Sequence, residues 1–485
     1  MTPTELLLLG WSLPLLLGVG LWLLLTGLPR GAAAWLGALG YGYVCGLISC
    51  AGIVALSQAR HTDEALLRLW PWLTGASILL WFGAWLLRRV GIVDAQPATK
   101  FSGPFWLRGF CALLFILLVS RAWLLFGEVS LLQTFPWDAW GAWAVKPKTW
   151  YLLGHSVSFA SMGEWLASGD ADIHTNVAWN YPQLLAWVEI WCANAANGWN
   201  EPLINFAWWG LWVALLFACY GQLRSLGLNA QRALITVYVL GSLPLLETHV
   251  ALAGYADIWL ATVFMLAVLS WLRWLYLREP RQLLAALLLS LLLPQLKLEG
   301  AIWVLCLWSV IAFGFLPRRW GWGIVLTLGC VSGIALLLGG LSLPVPGLGP
   351  VKFTWDSIDV PGKGSYSLQW HSVGPELSRS LFTLSNWHLL WFIFPLALVW
   401  RWRVLLADSG LRALAALLLL CGLFLFVLFF FTDAGQWAKD FTSANRLTLH
   451  VAPLAVIFIA LLLRDAEPQN ETPLRDISPA HAALE

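Results

Sequence analysis

The chain predicts an all-α polytopic membrane protein with about thirteen transmembrane helices and a long outer-face loop carrying surface or re-entrant helices. Composition comes first: 60% of its 485 residues are hydrophobic, 11% are charged, and the mean hydropathy is +0.74. So few charges cannot coat a soluble domain of this size. Apolar runs of the length that crosses a bilayer, about 20 residues, recur along the whole chain. Finally, the basic clusters Arg88-Arg89, Arg318-Arg319 and Arg401-Trp402-Arg403 all fall on one side when the runs are threaded in order, as cytoplasmic loops do. A net charge of +2 without a Lys/Arg run leaves nucleic acid out as a partner.

In order, the runs lie near 5–28, 33–57, 69–90, 104–126, 202–222, 231–247, 255–276, 282–297, 300–316, 322–342, 385–403, 409–431 and 446–463. The first lacks a basic leader region and a clear cleavage site and reads as a retained helix. Short runs around Pro294 suggest a broken pair. The basic-residue bias then places the N-terminus outside and the tail inside, in what is expected to be a bacterial inner membrane. Six segments follow: four N-terminal spans (1–127), an outer-face loop with surface helices (128–201), central spans (202–342), a second outer loop (343–384), C-terminal spans (385–464) and a cytoplasmic tail (465–485). Within the first outer loop, the 181–197 stretch is too short for a confident span and reads as a surface or re-entrant helix. In the second, Pro344, Pro346, Gly347, Gly349, Pro350 and Gly362 argue against regular structure, and a lid over the site is expected. The eight cysteines lie almost entirely in apolar runs, with no Cys-x-x-Cys or Cys/His cluster, which is against a metal or disulfide framework.

Chemistry concentrates on the outer side. Trp137-Asp138-Ala139-Trp140 opens the first outer loop and is followed by Lys146 and Lys148. Asp138 can act as a general base, the lysines can hold a phosphate, and Trp137 and Trp140 can stack on a sugar ring. The bland alternatives are a solvated loop carboxylate, snorkelling lysines and an interfacial aromatic belt. Glu247, His249, Tyr255 and Asp257 flank one outer turn, and Lys297 and Glu299 occupy another. Ionisable groups at membrane depth are costly and usually mark a site, although a helix cap or a simple ion pair fits the same residues. Arg446 and His450 stand four apart at the start of the last helix, on one helical face. A planar guanidinium matches phosphate oxygens, and the imidazole adds a second donor. A buried structural pair is the alternative.

Asp138 after an early helix, Tyr181-Pro182-Gln183-Leu184-Leu185 and the Gly254-Tyr255-Ala256-Asp257 turn together resemble the GT-C membrane glycosyltransferases, a superfamily that includes protein O-mannosyltransferases and aminoarabinose transferases. The resemblance covers residues 120 to 310, with Arg446 as a further point. It implies transfer of a sugar, usually with inversion, from a polyprenyl-phosphate donor to a hydroxyl of a glycan, lipid or protein acceptor at the outer face. Asp138 stands at the catalytic-base position. Lys146, Lys148, Lys297, Arg446 and His450 are candidates to hold the donor phosphate. Trp137, Trp140, Tyr181, Glu247, His249, Tyr255, Asp257 and Glu299 are candidates to contact substrate. Four helices rather than one precede the acidic loop, no Asp-Glu pair follows Trp137, and no sizeable soluble C-terminal domain is present.

Cations alone can stabilise a phosphate leaving group, so no cofactor is called for. No Asp-x-Asp motif indicates a metal, though its absence does not exclude one. Two rivals use the same residues: a transporter or flippase of lipid-linked sugars, and a ligase or polymerase using a diphosphate-linked glycan. Transporters usually place their sites near the midplane between repeated halves, whereas this sequence shows no repeat and clusters its polar residues on outer turns.

Overall fold

A computed structural model describes residues 2–57, 64–89, 104–315 and, with short gaps, 327–464. The expected span 322–342 lies partly outside the described residues, and the expected tail 465–485 lies wholly outside them. The chain forms a helical membrane protein. Its N-terminal part comprises α1 (Pro3–Thr26), α2 (Ala32–Ser57), α3 (Glu64–Arg89) and α4 (Phe105–Leu131). The 128–201 region follows with a π-helical turn (Ala139–Trp143), α5 (Val145–Leu153), β1 (Ser158–Ala160), α6 (Met162–Ser168), β2 (Ile173–Thr175) and α7 (Leu184–Ala195). Next come α8 (Glu201–Ser225), α9 (Ala230–Gly241), α10 (Pro244–Ala251), α11 (Asp257–Leu277), α12 (Pro280–Ser290), α13 (Leu293–Leu296) and α14 (Gly300–Phe315). Strands β3 (Leu341–Val345), β4 (Gly349–Phe353), β5 (Ser357–Val360) and β6 (Gly364–Ser367) precede α15 (Gly374–Phe382), α16 (Leu390–Trp400), α17 (Trp402–Ala407), α18 (Ser409–Phe431), α19 (Gly435–Lys439), α20 (Ser443–Leu449) and α21 (Ala452–Leu462).

Among the described residues, seven helices are long and apolar enough to cross a membrane, or nine if α9 with α10 and α20 with α21 each make one bent span. Those bends, of 60° and 42°, fall at Pro244 and just before Pro453, where a missing N–H opens the helical ladder. Freed groups find partners nearby: His388 Nε2 donates to the Ser242 carbonyl at 2.7 Å, and Leu245 N–H donates to Asn386 O at 3.2 Å. This is how broken helices persist at membrane depth.

Packing at the centre relies on small residues. A Cβ on Gly46 would sit 1.7 Å from the Pro14 carbonyl, so α1 and α2 meet backbone to backbone through Gly42 and Gly46. Helix α11 forms the axis; its side chains are buried almost throughout. A helix of its 21 residues extends about 30 Å, the thickness of the hydrocarbon layer.

Two expectations about the loops need correction. Of the two forms expected for 181–197, a surface or a re-entrant helix, burial rules out the surface form: ten of the twelve residues of α7 are buried, and Trp191 donates to the Gly10 carbonyl of α1 at 2.9 Å. Its apolar residues face neighbours on all sides, yet twelve residues rise only about 18 Å, too little to cross. The 343–384 loop is not without regular structure, since β3 to β6 form an antiparallel meander there. Pro344 faces Pro350 across the first hairpin. Neither has an N–H to contribute, and such a pair fits a ladder position that exchanges no hydrogen bonds. Pro346, Gly347 and Gly362 lie outside the described residues.

Candidate functional site

The site is assembled from four chain turns. After α4, Ala139 and Trp140 close a turn by donating their N–H groups to the Pro136 carbonyl, and Ala144 N–H reaches back to Ala139 O at 2.8 Å as the π turn's wide bond. Turns of this type are rare and often sit at functional positions. Asp138 begins this turn, and its carboxylate caps no backbone N–H. The loop that ends in Gly254-Tyr255-Ala256 presses against the same turn. Gly254 has φ +110°, and a Cβ there would lie 2.5 Å from the Ala139 Cβ, so both conformation and space require glycine. Trp208 Nε1 donates to the Tyr255 carbonyl at 2.8 Å and fixes this loop from α8.

Asp257 then opens α11, where a carboxylate complements the helix N-terminus. Its side chain is fully buried and is surrounded by donors. Lys297, in extended conformation between α13 and α14, reaches Asp257 Oδ1 at 2.8 Å. His450, at the bend between α20 and α21, reaches the same oxygen through Nε2 at 3.0 Å. Arg446 of α20 contacts Oδ2 through Nε at 3.0 Å and Nη2 at 2.9 Å. Its remaining terminal nitrogen, Nη1, pairs with Asp138 Oδ2. One guanidinium therefore bridges two carboxylates, one sealed inside and the other, Asp138, about one-third exposed. The guanidinium lies 4.6 Å from the Tyr255 ring centroid, a cation–π contact. Glu299 completes the cluster through Lys297 at 3.3 Å.

The tautomer of His450 follows from its second neighbour. Trp303 Nε1–H, which can only donate, reaches His450 Nδ1 at 3.2 Å. Nδ1 is therefore the acceptor and Nε2 carries the proton given to Asp257. As a neutral imidazole, His450 orients the carboxylate without adding charge. Two cations, Lys297 and Arg446, then face three carboxylates, Asp138, Asp257 and Glu299.

Of the sequence-derived candidates, Asp138, Tyr255, Asp257, Lys297, Glu299, Arg446 and His450 are brought into contact. His249 lies at the edge: its ring is 5.3 Å from that of Tyr255, Nδ1 donates to Leu245 O at 2.8 Å, and buried Nε2 has no partner among the described residues. Tyr181 is half-buried against Trp143; burial raises its phenol while the nearby Lys297 opposes that shift. Trp137 and Trp140 are exposed beside Asp138.

Lys146, Lys148 and Glu247 are engaged elsewhere. Lys146 is buried and donates to the carbonyls of Trp179 and Tyr181 at 2.7 and 2.9 Å; burial pulls its ammonium down to about 8. Lys148 pairs with Glu201 at 3.0 Å, and Glu247 pairs with Arg121 at 2.6 Å. As phosphate ligands the two lysines would have to give up these partners. Arg121 was not singled out from sequence, although an arginine inside an apolar run is a signal in its own right. Trp303 carried no such signal among thirty-five tryptophans.

Among the described residues, no three His, Cys, Asp or Glu side chains converge as a metal-binding group. An apolar groove of about 450 Å³ between Ile393, Trp400 and Leu463 lies on other elements and has no polar lining. No protein-family model, curated protein or solved structure matches the chain.

Proposed function

We propose that this protein is a membrane glycosyltransferase that moves a sugar from a polyprenyl-phosphate carrier to an acceptor hydroxyl, with inversion at the anomeric carbon. In this reading the four shorter or bent elements α9–α10, α12–α13, α14 and α16 also cross the bilayer. Together with α20–α21 and the 322–342 run they complete thirteen spans, and the ion cluster faces the outer side of a bacterial inner membrane. The observation that carries the reading is Arg446 poised between a sealed and an accessible carboxylate. A guanidinium matches phosphate oxygens, and a carboxylate beside it can take a proton.

The acceptor oxygen forms a bond to the anomeric carbon as that carbon's bond to the phosphate oxygen breaks. The electron pair leaves with the phosphate, where Arg446 and Lys297 stabilise the developing charge. The acceptor proton goes to Asp138. Exposed Trp137 and Trp140 supply flat faces for the sugar, and lipid-facing helices supply a surface for the prenyl tail.

The test uses purified protein in lipid with a panel of polyprenyl-monophosphate and polyprenyl-diphosphate sugars, following release of the free lipid phosphate. Release from the monophosphate donors is expected, and Asp138→Asn should lower it by roughly 100- to 10,000-fold. Movement of intact lipid-linked sugar across vesicles without bond cleavage would instead establish a flippase. Release from diphosphate donors alone would establish the ligase alternative.

A further inference from the structure

Building on the phosphate-donor reading, we propose that the Arg446–Asp138 ion pair is an autoinhibitory contact broken by the donor's phosphate, so that the event that binds the donor also frees the base. Arg446 is four-fifths buried and already spends Nε and Nη2 on Asp257. Nη1 is the edge it shares with Asp138, and an arriving phosphate oxygen must compete for that edge.

The two carboxylates resist displacement very differently. Asp257 has no exposure and is held by Lys297, His450 and Arg446 together. Asp138 is one-third exposed, has Arg446 as its one side-chain partner among the described residues, and caps nothing. The weaker carboxylate yields. It also stands at the head of the π turn, whose Ala144-to-Ala139 bond spans one residue more than an α-helical turn. That slack lets Asp138 withdraw without unfolding α5. Until a phosphate arrives, the guanidinium occupies the carboxylate and holds it away from an acceptor hydroxyl. Donor first, acceptor second is the order this imposes.

The two views of Asp138 diverge on binding. A carboxylate that only serves as a base leaves donor affinity untouched when neutralised. A carboxylate that competes with phosphate raises it. We would measure binding of polyprenyl monophosphate, polyprenol and inorganic phosphate to the full-length protein in nanodiscs, for the wild type, Asp138→Asn, Arg446→Lys and Arg446→Ala. Asp138→Asn is expected to bind the lipid monophosphate about fivefold more tightly, the ratio set by losing one partly exposed competing ion pair. Both Arg446 variants should bind it more weakly, the lysine form less severely so. Arg446-dependent binding with no gain in Asp138→Asn overturns the latch and leaves the phosphate reading standing. Equal binding of polyprenyl monophosphate and polyprenol by every form overturns both. Tightening of inorganic phosphate alone, with lipid phosphate unchanged, also overturns the proposal, because the latch must answer to the lipid-borne group.

Discussion

Asp257 and Lys297 allow a quantitative test of how the cluster is held together. Replacing Lys297 by Met removes one 2.8 Å charge-assisted bond, but Asp257 keeps Arg446 and His450; the expected cost is about 1.5–3 kcal/mol. Asp257→Ala is harsher. It strands the buried Lys297 ammonium with only Glu299 at 3.3 Å and leaves His450 Nε2–H without an acceptor. Leaving a buried charge uncompensated costs about 3–5 kcal/mol. In the double variant no ammonium is stranded, and Arg446 still has Asp138. Its cost should therefore be about 3–4 kcal/mol, well short of the roughly 4.5–8 kcal/mol obtained by adding the singles, a coupling of about 2 kcal/mol. Reversible unfolding of the four purified proteins by SDS in mixed micelles gives each free energy. Additivity to within about 0.5 kcal/mol would mean that Lys297 and Asp257 do not depend on one another, and the reading of the cluster as one electrostatic unit would fail.

Gly254→Ala should lower thermal stability and transfer together, because it drives the Asp257 turn away from the Asp138 turn. Adding Ala139→Gly removes the 2.5 Å clash but not the cost of φ +110°, about 1–2 kcal/mol, so recovery should be partial. Lys146 gives a pH signature: with its folded-state value pulled down to about 8 from 10.5, the unfolded chain binds more protons between those limits, and stability rises with pH across that window. Lys146→Met should flatten the rise measured over pH 8 to 10.5, and an identical slope in the variant would contradict the assignment. For topology, cysteines placed singly at Ala167 and Ser409 in a cysteine-free background should label with an impermeant maleimide from opposite sides of sealed vesicles. Labelling from the same side would mean an even number of crossings between them and would refute the odd number the proposed topology places there.

What the sequence revealed and what it hid follow from range. The long apolar helices were legible because burial in lipid is written residue by residue. Asp257 and Arg446 were legible for the same reason: a charge inside or beside an apolar run has no cheap alternative. Partnership was not legible. Arg446 and Asp257 are separated by 189 positions and Asp138 lies 308 positions from Arg446, and nothing local distinguishes Lys297, which joins them, from Lys146, which binds two carbonyls. The meander of β3 to β6 was hidden for another reason: Pro and Gly mark both loops and hairpins, and only the facing of Pro344 and Pro350 resolves which. The surface and re-entrant forms of α7 could not be told apart because an apolar twelve-residue segment looks alike whether lipid or protein covers it.

The axial helix α11 explains why so polar a cluster can exist at a helix end. Asp257 stands at its start, and at its other end Tyr276 donates to Asp408 Oδ1 at 2.8 Å while Arg464 pairs with Asp408 and lies 4.6 Å from the Tyr276 ring. Both ends of one membrane-length helix are thus pinned by arginine, Arg446 from α20 and Arg464 from just past the end of α21. The two ends differ in what the arginine has left over. At the Asp408 end the carboxylate also caps α18 through Leu411 N–H, so the contact is closed on itself. At the Asp257 end both carboxylate oxygens are occupied, Oδ1 by Lys297 and His450 and Oδ2 by Arg446, so Asp257 offers a reacting proton no free lone pair and would strand two cations if it accepted one. Asp138, about one-third exposed, has Arg446 as its one side-chain partner among the described residues. In the proposed function, Asp257 therefore fixes the arginine, and Asp138 is the carboxylate left to take the acceptor proton.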